Sequence, residues 1–419
     1  MKKSVVIIGG GFAGINLAKA LVDSNQFSIT LVDKNNYHFF PPLIYQVATG
    51  FLEPSSISYP FRRLLKGKEN IRFWLGEFVR VNQEANEVEL SNGTLKYDYL
   101  VFATGTDTNY FGMENVQKNA IPMKTLVDAL NMRNLLLQHL EKASTIEDRE
   151  EKKKLLTMVI AGGGPTGVEI SGMFAEMKNT IIRKEYPELV NSALSGIYLV
   201  DGAPSLLTPM SKKSQEYALQ SLTKLGVNVQ FSKQVIDYDG NEVKFSDGTS
   251  IFTKNLIWAA GVTAMVFEGI DASCYGRGKR LIVDAFNKVQ STENIYAIGD
   301  TCYMDSDPSF PVGHPQVAQV AIQQGLLLAK NLQKIANPAP FIYNDKGSMA
   351  IIGKAKAVAD LSPKVHFDGI IAWLAWLVIH IMSLINYRNK LRTLYNWMSA
   401  YFSNNSSLRM IVRPQNKVS

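Results

Sequence analysis

A chain of 419 residues, 46% of them hydrophobic, is long enough for two or three domains and too apolar to be intrinsically disordered. Almost all of the net charge of +7 lies in residues 369–419, which contain six Lys and Arg residues and no Asp or Glu. No arginine-rich or aromatic nucleic-acid motif accompanies that charge. We therefore expect an anionic membrane surface as partner and no nucleic acid.

The two cysteines, Cys274 and Cys302, show neither CxxC nor zinc-ligand spacing. They fit a reducing compartment and exclude a metal cluster held by cysteines, and we predict no metal site. Only four apolar residues lie between Lys2-Lys3 and the first glycines, so no signal peptide is expected.

The first organising motif is GGGFAG at residues 9–14, which follows a strand-like run from Val5 to Ile8 and precedes a helical pattern. Glycines at this spacing let the backbone turn tightly and approach a pyrophosphate, which the helix N-terminus attracts. A second strand ends at Asp33, 19 residues after Gly14, where a carboxylate can accept hydrogen bonds from a ribose. The pattern predicts a dinucleotide-binding βαβ unit.

Short strands are predicted between residues 71 and 102, and the last ends in Ala103-Thr104-Gly105, a recurring second fingerprint of flavoproteins with two dinucleotides. The aromatic stretch 34–50 contains no cysteine pair, so the predicted flavin passes electrons on without a protein disulfide. A helix is predicted over residues 125–154, and its charged end is interpreted as a solvated face.

The pattern then restarts with a strand at 156–161, a second glycine motif, GGGPTG, at 162–167, and a strand that ends at Asp201. Two such units in one chain predict two dinucleotides with electron transfer between them. A carboxylate at Asp201 accepts from a ribose 2′-OH and repels a 2′-phosphate. Because no Arg or Lys occurs from Gly202 to Ser211, NADH is favoured over NADPH.

Glu169 follows the second glycine motif and has two interpretations: an acid that suits the helix dipole, or a polar contact between nicotinamide and flavin. Residues 228–257 again alternate like a small sheet, and they lead into Ala259-Ala260-Gly261, a relative of the Ala-Thr-Gly ending. The second unit thus repeats the plan of the first.

The stretch 294–300 reads NIYAIGD and places Asp300 at a strand end, where this architecture brings a carboxylate beside the ribityl hydroxyls of a flavin. The next helix carries Gln319 and Gln323 at i and i+4, hence on one face. Its N-terminus can stabilise an anionic reduced flavin. Ordinary polar surface is the alternative interpretation of the two glutamines.

These elements predict an α/β protein with two Rossmann-like dinucleotide-binding domains of the glutathione-reductase type and a C-terminal amphipathic helical membrane anchor. The first domain is discontinuous, 1–122 and 285–345; the second is 123–284, and 346–419 is the anchoring region.

The most apolar run in the chain, residues 370–385, would span about 24 Å as a helix, short of the ~30 Å hydrocarbon core. Arg388, Lys390 and Arg392 follow it. An aromatic and apolar helix face is then predicted from Leu391, Leu394, Tyr395, Trp397, Met398, Tyr401 and Phe402. A helix lying in one leaflet is favoured; the alternatives are a single span, a buried helix or a dimer interface.

These motifs, in this order and over the whole chain, resemble the type II NADH dehydrogenases, which are single-chain NADH:quinone oxidoreductases. The resemblance is carried by GGGFAG, YHFFPPLIYQVATG, VFATGT, AGGGPTGVEISG, IWAAGV, YAIGD, VAQVAIQQG, KGSMAIIGKAKAVA and AWLAWLVIHIMSLINYRNKL. The glutamine-containing helix and the tail are the most specific of these. Asp201 is a departure, because many members carry Glu there, but no change in cofactor specificity is expected.

The resemblance implies FAD on the first unit, NADH on the second, Glu169 near the nicotinamide, and a membrane quinone that enters beside Gln319 and Gln323. It implies two-electron transfer from NADH to quinone without proton pumping. We also expect a homodimer, held on the cytoplasmic face of the membrane as a peripheral, monotopic protein.

The expected FAD-site residues are Gly9, Gly11, Phe12, Ala13, Gly14, Asp33, Lys34, Phe78, Thr104, Gly105, Asp300, Ala318 and Gln319. The expected NADH-site residues are Gly162, Gly164, Pro165, Thr166, Gly167, Glu169, Asp201, Ala260 and Gly261. Glu169, Gln319 and Gln323 are the expected catalytic residues.

Three alternative functions remain open. A soluble NADH:ferredoxin or rubredoxin reductase shares both nucleotide units but needs no apolar tail. A sulfide:quinone oxidoreductase has a membrane tail but needs reactive cysteines, which Cys274 and Cys302 do not supply in the expected places. A redox-dependent interaction protein of the apoptosis-inducing type would bind NADH and reduce quinone slowly.

Overall fold

The computed structural model describes residues 2–190, 196–334, 336–362, 365–403 and 410–411. Within these residues the strands are β1 (Lys3–Ile8), β2 (Phe27–Asp33), β3 (Tyr37–Phe39), β4 (Ser58–Pro60), β5 (Ile71–Leu75), β6 (Phe78–Asn82), β7 (Glu87–Leu90), β8 (Gly93–Lys96), β9 (Tyr99–Phe102), β10 (Asp107–Thr108), β11 (Ile121–Pro122), β12 (Met158–Ala161), β13 (Ile197–Val200), β14 (Val227–Gln230), β15 (Val235–Tyr238), β16 (Glu242–Phe245), β17 (Ser250–Phe252), β18 (Asn255–Trp258), β19 (Val262–Thr263), β20 (Leu281–Ile282), β21 (Ile295–Ala297), β22 (Cys302–Tyr303), β23 (Ser348–Gly353), β24 (Lys356–Ser362) and β25 (Val365–Asp368). The helices are α1 (Phe12–Leu21), α2 (Ile44–Ala48), α3 (Pro54–Ile57), α4 (Phe61–Leu64), α5 (Glu114–Asn119), α6 (Leu126–Thr145), α7 (Arg149–Leu156), α8 (Pro165–Met177), α9 (Arg183–Glu185), α10 (Pro187–Val190), α11 (Lys212–Lys224), α12 (Ala318–Gln333), α13 (Gly369–Ser383) and α14 (Tyr387–Ser403).

One compact unit comprises residues 1–39, 59–107 and 262–345. Its central sheet has five parallel strands in the order β21-β9-β1-β2-β5. Val6 and Ile8 of β1 point into an apolar cluster shared with strands β6 to β8, and Ile7 lies against α1 at Gly14. This strand is therefore buried on both faces, as its run of β-branched residues predicts.

Helices α1 and α12 pack against each other at a glycine. A Cβ on Gly325 would stand 2.5 Å from the carbonyl oxygen of Ala13 and 3.2 Å from the backbone nitrogen of Leu17. The absence of a side chain at Gly325 lets α12 approach α1, so that the start of α12 lies near the glycine loop that precedes α1.

The other compact unit comprises residues 40–58, 108–261 and 346–419. Its sheet is also parallel, in the order β11-β18-β12-β13-β14, so β12 takes the position that β1 has in the first unit. A three-stranded antiparallel sheet accompanies each parallel sheet, β6-β7-β8 in one unit and β15-β16-β17 in the other. The prediction of two Rossmann-like domains that share one plan is confirmed.

The helix predicted over 125–154 is in fact two helices. The first, α6, begins with a capping box between Thr125 and Asp128. After Thr145 the chain leaves the helix, and Asp148 then caps α7 by accepting the N–H groups of Glu150 and Glu151 at 2.9 and 3.2 Å. The side chain of Asp148 caps the first backbone N–H groups of α7. Asp148 therefore begins a second helix and does not extend α6.

The compact units are divided differently from the predicted domains. Residues 40–58, 108–122 and 346–419 group with the second glycine motif, and 262–284 group with the first. One physical reason is the packing of α8 on β23, since a Cβ on Gly172 would collide with the carbonyl oxygen of Ile352. The sheet β23-β24-β25 thus closes over α8 within the second unit.

The tail helices α13 and α14 each bury one side in the second unit. Trp397, which is 2% exposed, donates from its indole nitrogen to Oε1 of Gln46 at 2.7 Å. The side-chain nitrogen of Asn389 lies 3.3, 2.7 and 3.0 Å from the carbonyl oxygens of Ser55, Ser56 and Ser58. The tail therefore supports the backbone around α3.

The opposite side of the same two helices is apolar and exposed. Its members are Ile370, Ile371, Leu374, Val378, Ile379, Met382, Tyr387, Leu391, Leu394, Tyr395 and Met398. We call this set the tail face. The predicted aromatic face is confirmed for Leu391, Leu394, Tyr395 and Met398 and is wrong for Trp397, which Gln46 and Trp376 cover.

The side chains of Tyr401 and Phe402, and residues Arg409, Arg413 and Lys417, lie outside the described part of the chain. Within the described part, no helix has both the length and the hydropathy that a membrane-spanning segment requires.

Candidate functional site

The first glycine loop lies at the carboxyl end of β1 and leads into α1. Gly9 has a φ of +104°, and a Cβ there would collide with the carbonyl oxygen of Ala103, while a Cβ on Gly14 would collide with that of Gly9. Gly11 differs, because its backbone is extended (φ −68°, ψ −163°) and no atom lies within 4 Å of its ideal Cβ position. The loop needs Gly9 and Gly14 for its shape and leaves an open space at Gly11, in front of a helix end without a side-chain cap.

Asp33 ends β2 and holds this loop. Its Oδ2 accepts the N–H of Gly10 at 2.7 Å, and its Oδ1 accepts the N–H of Asn35 at 2.7 Å. Burial raises the pKa of the carboxyl, and these backbone hydrogen bonds oppose that rise. Asp33 therefore stands at the strand end where a ribose carboxylate was predicted and also braces the glycine turn.

His38 was not predicted as a site residue, although it contacts the same loop. Its Nδ1 lies 3.0 Å from the carbonyl oxygen of Gly10, and burial lowers its pKa to about 4. The ring is neutral near pH 7, and a neutral ring can donate from Nδ1 to that carbonyl. A histidine five residues after Asp33 in an aromatic run was the available signal.

The ends of β9 and β21 reach the same edge of the sheet as the glycine loop, because both strands run parallel beside β1. The Thr104 hydroxyl lies 3.4 Å from that of Thr301, and Oδ2 of Asp300 accepts from the Thr106 hydroxyl at 3.3 Å. Gly105 has no atom within 4 Å of its ideal Cβ position. The structure thus brings the predicted residues Thr104, Gly105 and Asp300 to one edge.

Gln324 is a second residue that the sequence did not single out. It is fully buried, and its Oε1 accepts the N–H of Gly299 at 2.7 Å and the thiol of Cys302 at 3.3 Å. These contacts hold the turn that presents Asp300. One residue beyond the predicted Gln323, this glutamine faces the interior of the unit.

Helix α12 begins at Ala318, which places Gln319 in its first turn and Gln323 in its second. Both glutamines are half-buried. The Gln323 amide pairs with the backbone of Asn344: its Nε2 donates to the carbonyl at 2.9 Å and its Oε1 accepts the N–H at 3.1 Å. Gln323 therefore ties the segment around Asn344 to α12, which the spacing pattern did not indicate.

Three further predicted residues surround the first glycine loop. Phe12 meets His38 edge-on with ring centroids 5.8 Å apart, and Ala13 lies beside Gly299. Lys34 is exposed next to Asp33.

Phe78 packs against Phe102, the last residue of β9, shortly before the predicted site residues Thr104 and Gly105. Its ring packs edge-on against Phe102 and Phe267, each with a centroid distance of 5.4 Å, in the apolar cluster of the unit. Its side chain is part of the hydrophobic core.

The second glycine loop repeats the geometry of the first. Gly162 has a φ of +112°, and a Cβ there would collide with the carbonyl oxygen of Ala259; a Cβ on Gly167 would collide with that of Gly162. Gly164 is extended and again has no atom within 4 Å of its ideal Cβ position. Pro165 and Thr166 form the first turn of α8, where a missing proline N–H does no harm.

Asp201 ends β13 as Asp33 ends β2. Its Oδ2 accepts the N–H of Gly163 and its Oδ1 accepts that of Ala203 at 2.6 Å. Lys233 donates its backbone N–H to the carbonyl of Asp201, but its ammonium group pairs with Asp247 at 3.1 Å. The ammonium group of Lys233 is therefore already paired with a carboxylate, which supports the predicted preference for NADH.

The end of β18 lies beside the second glycine loop, because β18 pairs with β12. Ala260 is exposed. The carbonyl of Gly261 accepts the N–H of Asn109 at 3.0 Å, and a Cβ on Gly261 would stand 2.7 Å from the ring of Phe111. The structure places both predicted residues at the edge that the glycine loop occupies.

Glu169 lies near the start of α8 and is only 8% exposed, because the helix packs on β23. Burial raises its pKa well above the ordinary range, and a backbone hydrogen bond from Ile351 opposes that rise. A protonated carboxyl gains little from the helix dipole, so this environment weakens the dipole interpretation of the residue. It favours a neutral group that can donate as well as accept.

We expect Glu169→Gln to become more stable than wild type as the pH rises. The folded protein holds a proton on Glu169 that the unfolded chain releases above its ordinary pKa of about 4.5. The wild-type free energy of unfolding should therefore fall, relative to the variant, from about pH 5 until the folded-state pKa is passed. Thermal midpoints measured from about pH 5 to 8 test this, with exposed Glu216→Gln as control. Parallel profiles for Glu169→Gln and wild type would contradict it.

Both loops have the features that a bound dinucleotide needs. Each has an open space, at Gly11 or Gly164, in front of helix amides that no side chain caps, and each has a carboxylate at the end of the next strand. The first unit adds Asp300 and the start of α12 at its edge, the two features that were predicted to adjoin a flavin. The residues present therefore fit FAD in the first unit and NADH in the second.

The two cysteines do not form a reactive set. Cys274 and Cys302 are both buried, and burial raises the pKa of Cys274 and raises that of Cys302 to about 12. Nucleophilic thiols in proteins have lowered pKa values and some exposure. This argues against the sulfide:quinone oxidoreductase alternative.

A family model for pyridine nucleotide-disulphide oxidoreductases matches residues 3–325, and one for the NDH2 C-terminal domain matches residues 346–404. Two type II NADH:quinone oxidoreductases of Mycobacterium tuberculosis, NdhA and Ndh, are each 37% identical to this chain. The alignments cover 94% and 95% of this chain and 86% and 88% of those proteins.

Among solved structures, NDH2 from Plasmodium falciparum in complex with NADH has a TM-score of 0.89 at 24% identity, covering 99% of this chain and 100% of that one. The sulfide:quinone oxidoreductase from Aquifex aeolicus has a TM-score of 0.72 at 18% identity, covering 98% and 96%. These two similarities show a shared fold.

Proposed function

This chain belongs to the type II NADH:quinone oxidoreductases, and from that membership we propose that it oxidises NADH and reduces a membrane quinone by two electrons, without pumping protons. The observation that carries the proposal is the pair of open glycine loops, at Gly11 and Gly164, each with a carboxylate at the following strand end. One chain is thereby equipped for two dinucleotides.

When bound, FAD supplies the two-electron redox chemistry. In the first unit the amides at the start of α1 would hold its pyrophosphate, Asp33 its ribose, and Asp300 its ribityl hydroxyls. In the second unit the start of α8 and Asp201 would hold NADH in the same way. Glu169, a buried acid on α8 whose pKa is raised by burial, is proposed to contact the nicotinamide end of that nucleotide.

Steady-state turnover of the flavin-loaded protein with NADH and a short-chain quinone tests the function. NADPH and sulfide are the comparison donors. We expect rapid turnover with NADH, slow turnover with NADPH and none with sulfide. Sulfide-dependent quinone reduction would instead favour the second candidate enzyme, and NADH oxidation that is slow with quinone but fast with a ferredoxin would favour the soluble reductase.

We expect Asp201→Asn to raise the ratio of kcat/KM for NADPH to that for NADH by about tenfold, because it removes a negative charge beside the site of the 2′-phosphate. The asparagine oxygen can still accept one of the two backbone N–H groups. Asp237→Asn on β15 removes an equal charge away from the loop and should leave the ratio unchanged. Equal ratios in all three proteins would show that Asp201 does not select the cofactor.

The quinone is proposed to react at the face of α12 that carries Gln319 and Gln323. We assign direct contact to Gln319, because it lies in the first turn of α12, and a positioning role to Gln323, whose amide pairs with the backbone of Asn344. Stopped-flow absorbance should show that Gln319→Leu slows the quinone-dependent recovery of the oxidised flavin spectrum about tenfold. Flavin reduction by NADH should change less than about twofold.

Gln323→Leu should slow the same phase and also lower Tm, since it leaves the Asn344 backbone groups without a partner. Exposed Lys330→Gln on α12 is the matched control. A loss confined to the NADH-dependent phase in either glutamine variant would place these residues outside the quinone site.

Membrane attachment is proposed to occur through the tail face, which lies beside the basic residues Arg388 and Lys390. An apolar helix face flanked by cations suits an interface with anionic lipids, as on a cytoplasmic leaflet. The protein is accordingly proposed to be a peripheral, monotopic enzyme on the cytoplasmic face, where NADH is available. The homodimer is a further proposal that rests on the family resemblance, and sedimentation of the flavin-loaded protein in detergent tests it.

A further inference from the structure

The second unit contains an apolar cavity that the nucleotide sites do not use. Its volume is about 240 Å³, and Leu136, Leu137 and Leu140 of α6 line it together with Leu155 of α7 and Phe174 and Met177 of α8. An engineered leucine-lined cavity of about 150 Å³ in another protein is large enough for benzene, so this one can admit a small apolar ligand or part of a larger one.

The cavity is separate from the NADH loop. It meets α8 at Phe174 and Met177, whereas the nucleotide loop precedes the first residue of that helix. Nine residues at 1.5 Å each separate Pro165 from Phe174, a distance of roughly 14 Å along the helix. A ligand in the cavity and a nucleotide at the loop would therefore contact opposite ends of α8.

Among the described residues that line the cavity, the charged ones are all basic: Arg133, Lys178 and Arg183. Arg133 follows the same helical face as the three leucines of α6 and is only 9% exposed. Its Nε has no hydrogen-bond partner within the described part of the chain. Burial lowers the pKa of its guanidinium, and no acid partner offsets that effect.

The buried Nε of Arg133 is costly in this state, because its N–H has lost water without gaining a hydrogen bond. An anion in the cavity would remove that cost. Arginine is suited to carboxylates, which accept two of its N–H groups at once. The leucines beside it require the rest of the ligand to be apolar.

We propose that this cavity binds an alkyl carboxylate of the fatty-acid type, with its chain among the leucines of α6 and α7 and its carboxylate on Arg133. The residues proposed above for NADH and quinone, among them Glu169, Asp201 and Gln319, do not line this cavity. The ligand is an amphiphile, so a membrane-bound enzyme could take it directly from the lipid phase.

Isothermal titration of the full-length, flavin-loaded protein with dodecanoate and with dodecanol tests the proposal. The two probes share one chain and differ in the charge that Arg133 would recognise, so wild type should bind dodecanoate at least about tenfold more tightly. Arg133→Gln should remove that difference, and Leu140→Trp, which fills the cavity, should weaken both probes. Arg149→Gln removes an exposed charge from neighbouring α7 and should change neither affinity.

Two further measurements distinguish loss of a ligand contact at Arg133 from a change in the structure of the protein. Arg133→Gln should be at least as thermally stable as wild type, because it removes an unpaired buried charge. A photoreactive fatty acid bound to wild type should label peptides of α6 and α8. Equal binding of both probes to wild type, unchanged preference in Arg133→Gln, or labelling confined to the tail face would overturn the proposal.

Discussion

Replacing Gly11 with valine is expected to leave the chain folded but almost free of flavin. The backbone at Gly11 is extended, so valine can adopt it, and no protein atom lies within 4 Å of the ideal Cβ position. The new side chain would instead occupy the space in front of α1 that the pyrophosphate needs. We expect the flavin-to-protein ratio to fall at least about tenfold.

Gly164→Val is the matched variant in the second unit. Gly164 has the same extended backbone and the same open space, and Pro165 follows it. This variant should keep a full complement of flavin and raise KM for NADH at least about tenfold, because only the second loop is filled. The two variants together separate the two nucleotide sites within one chain.

Flavin absorbance, NADH binding by fluorescence and Tm should be measured on both variants and on wild type. The expected pattern is crossed: flavin is lost only in Gly11→Val and NADH binding only in Gly164→Val. Recovery of full flavin in Gly11→Val would show that the first loop does not hold the FAD pyrophosphate.

The second large effect concerns the tail face. Changing Ile371, Val378 and Met382 to serine is expected to release the protein from anionic vesicles while its structure and flavin are retained. These residues lie at i, i+7 and i+11 on one stripe of α13, and each is more than 60% exposed. At roughly 1 kcal/mol for each partly inserted side chain, the loss is about 3 kcal/mol, or about a hundredfold in partitioning.

Asn389→Ala is the counterpart on the buried side of the tail. It removes the amide that three serine carbonyls share, so Tm should fall by several degrees while vesicle binding is retained. High salt should loosen wild type only partly, because it screens the basic residues but leaves apolar burial intact. A triple serine variant that still sediments with vesicles would place the anchor elsewhere.

Deleting the whole tail would not separate these effects. Truncation before Gly369 removes the tail face, but it also removes Trp397 from Gln46 and Asn389 from the serine carbonyls. One side of the tail is the proposed membrane-binding surface, and the other side is part of the core of the second unit. Point changes on the exposed side are therefore the informative experiment.

Much of the fold and of the nucleotide sites could be predicted because the relevant constraints are local. A turn that requires φ near +104° or +112° selects glycine at Gly9 and Gly162, and the next glycines follow within five residues. The acids at Asp33 and Asp201 follow because the next parallel strand ends at the same edge of the sheet. Both predictions use short stretches whose spacing reflects backbone geometry.

Other parts of the site depend on contacts between residues far apart in the chain. From the sequence alone, Glu169 can be interpreted as a surface acid. In the structure β23, about 180 residues later in the chain, buries Glu169, and this burial raises its pKa. Gln323 has the spacing of an exposed face, yet its amide pairs with Asn344. Arg133 sits in a helical pattern that indicates only an amphipathic helix.

Two nucleotide-binding units and their order could be predicted from the residues alone, because glycine turns, strand ends and helix starts are set by neighbouring residues. The assignment of FAD to the first unit and NADH to the second came from the family resemblance. Three features became visible only in the folded chain: Trp397 is buried while Leu394 is exposed, residues 40–58 and 346–419 share a unit, and Arg133 lines a cavity. The physical reason is that burial depends on which surface each helix finds to cover. An amphipathic pattern shows that a face must be covered, but it does not identify the element that covers it.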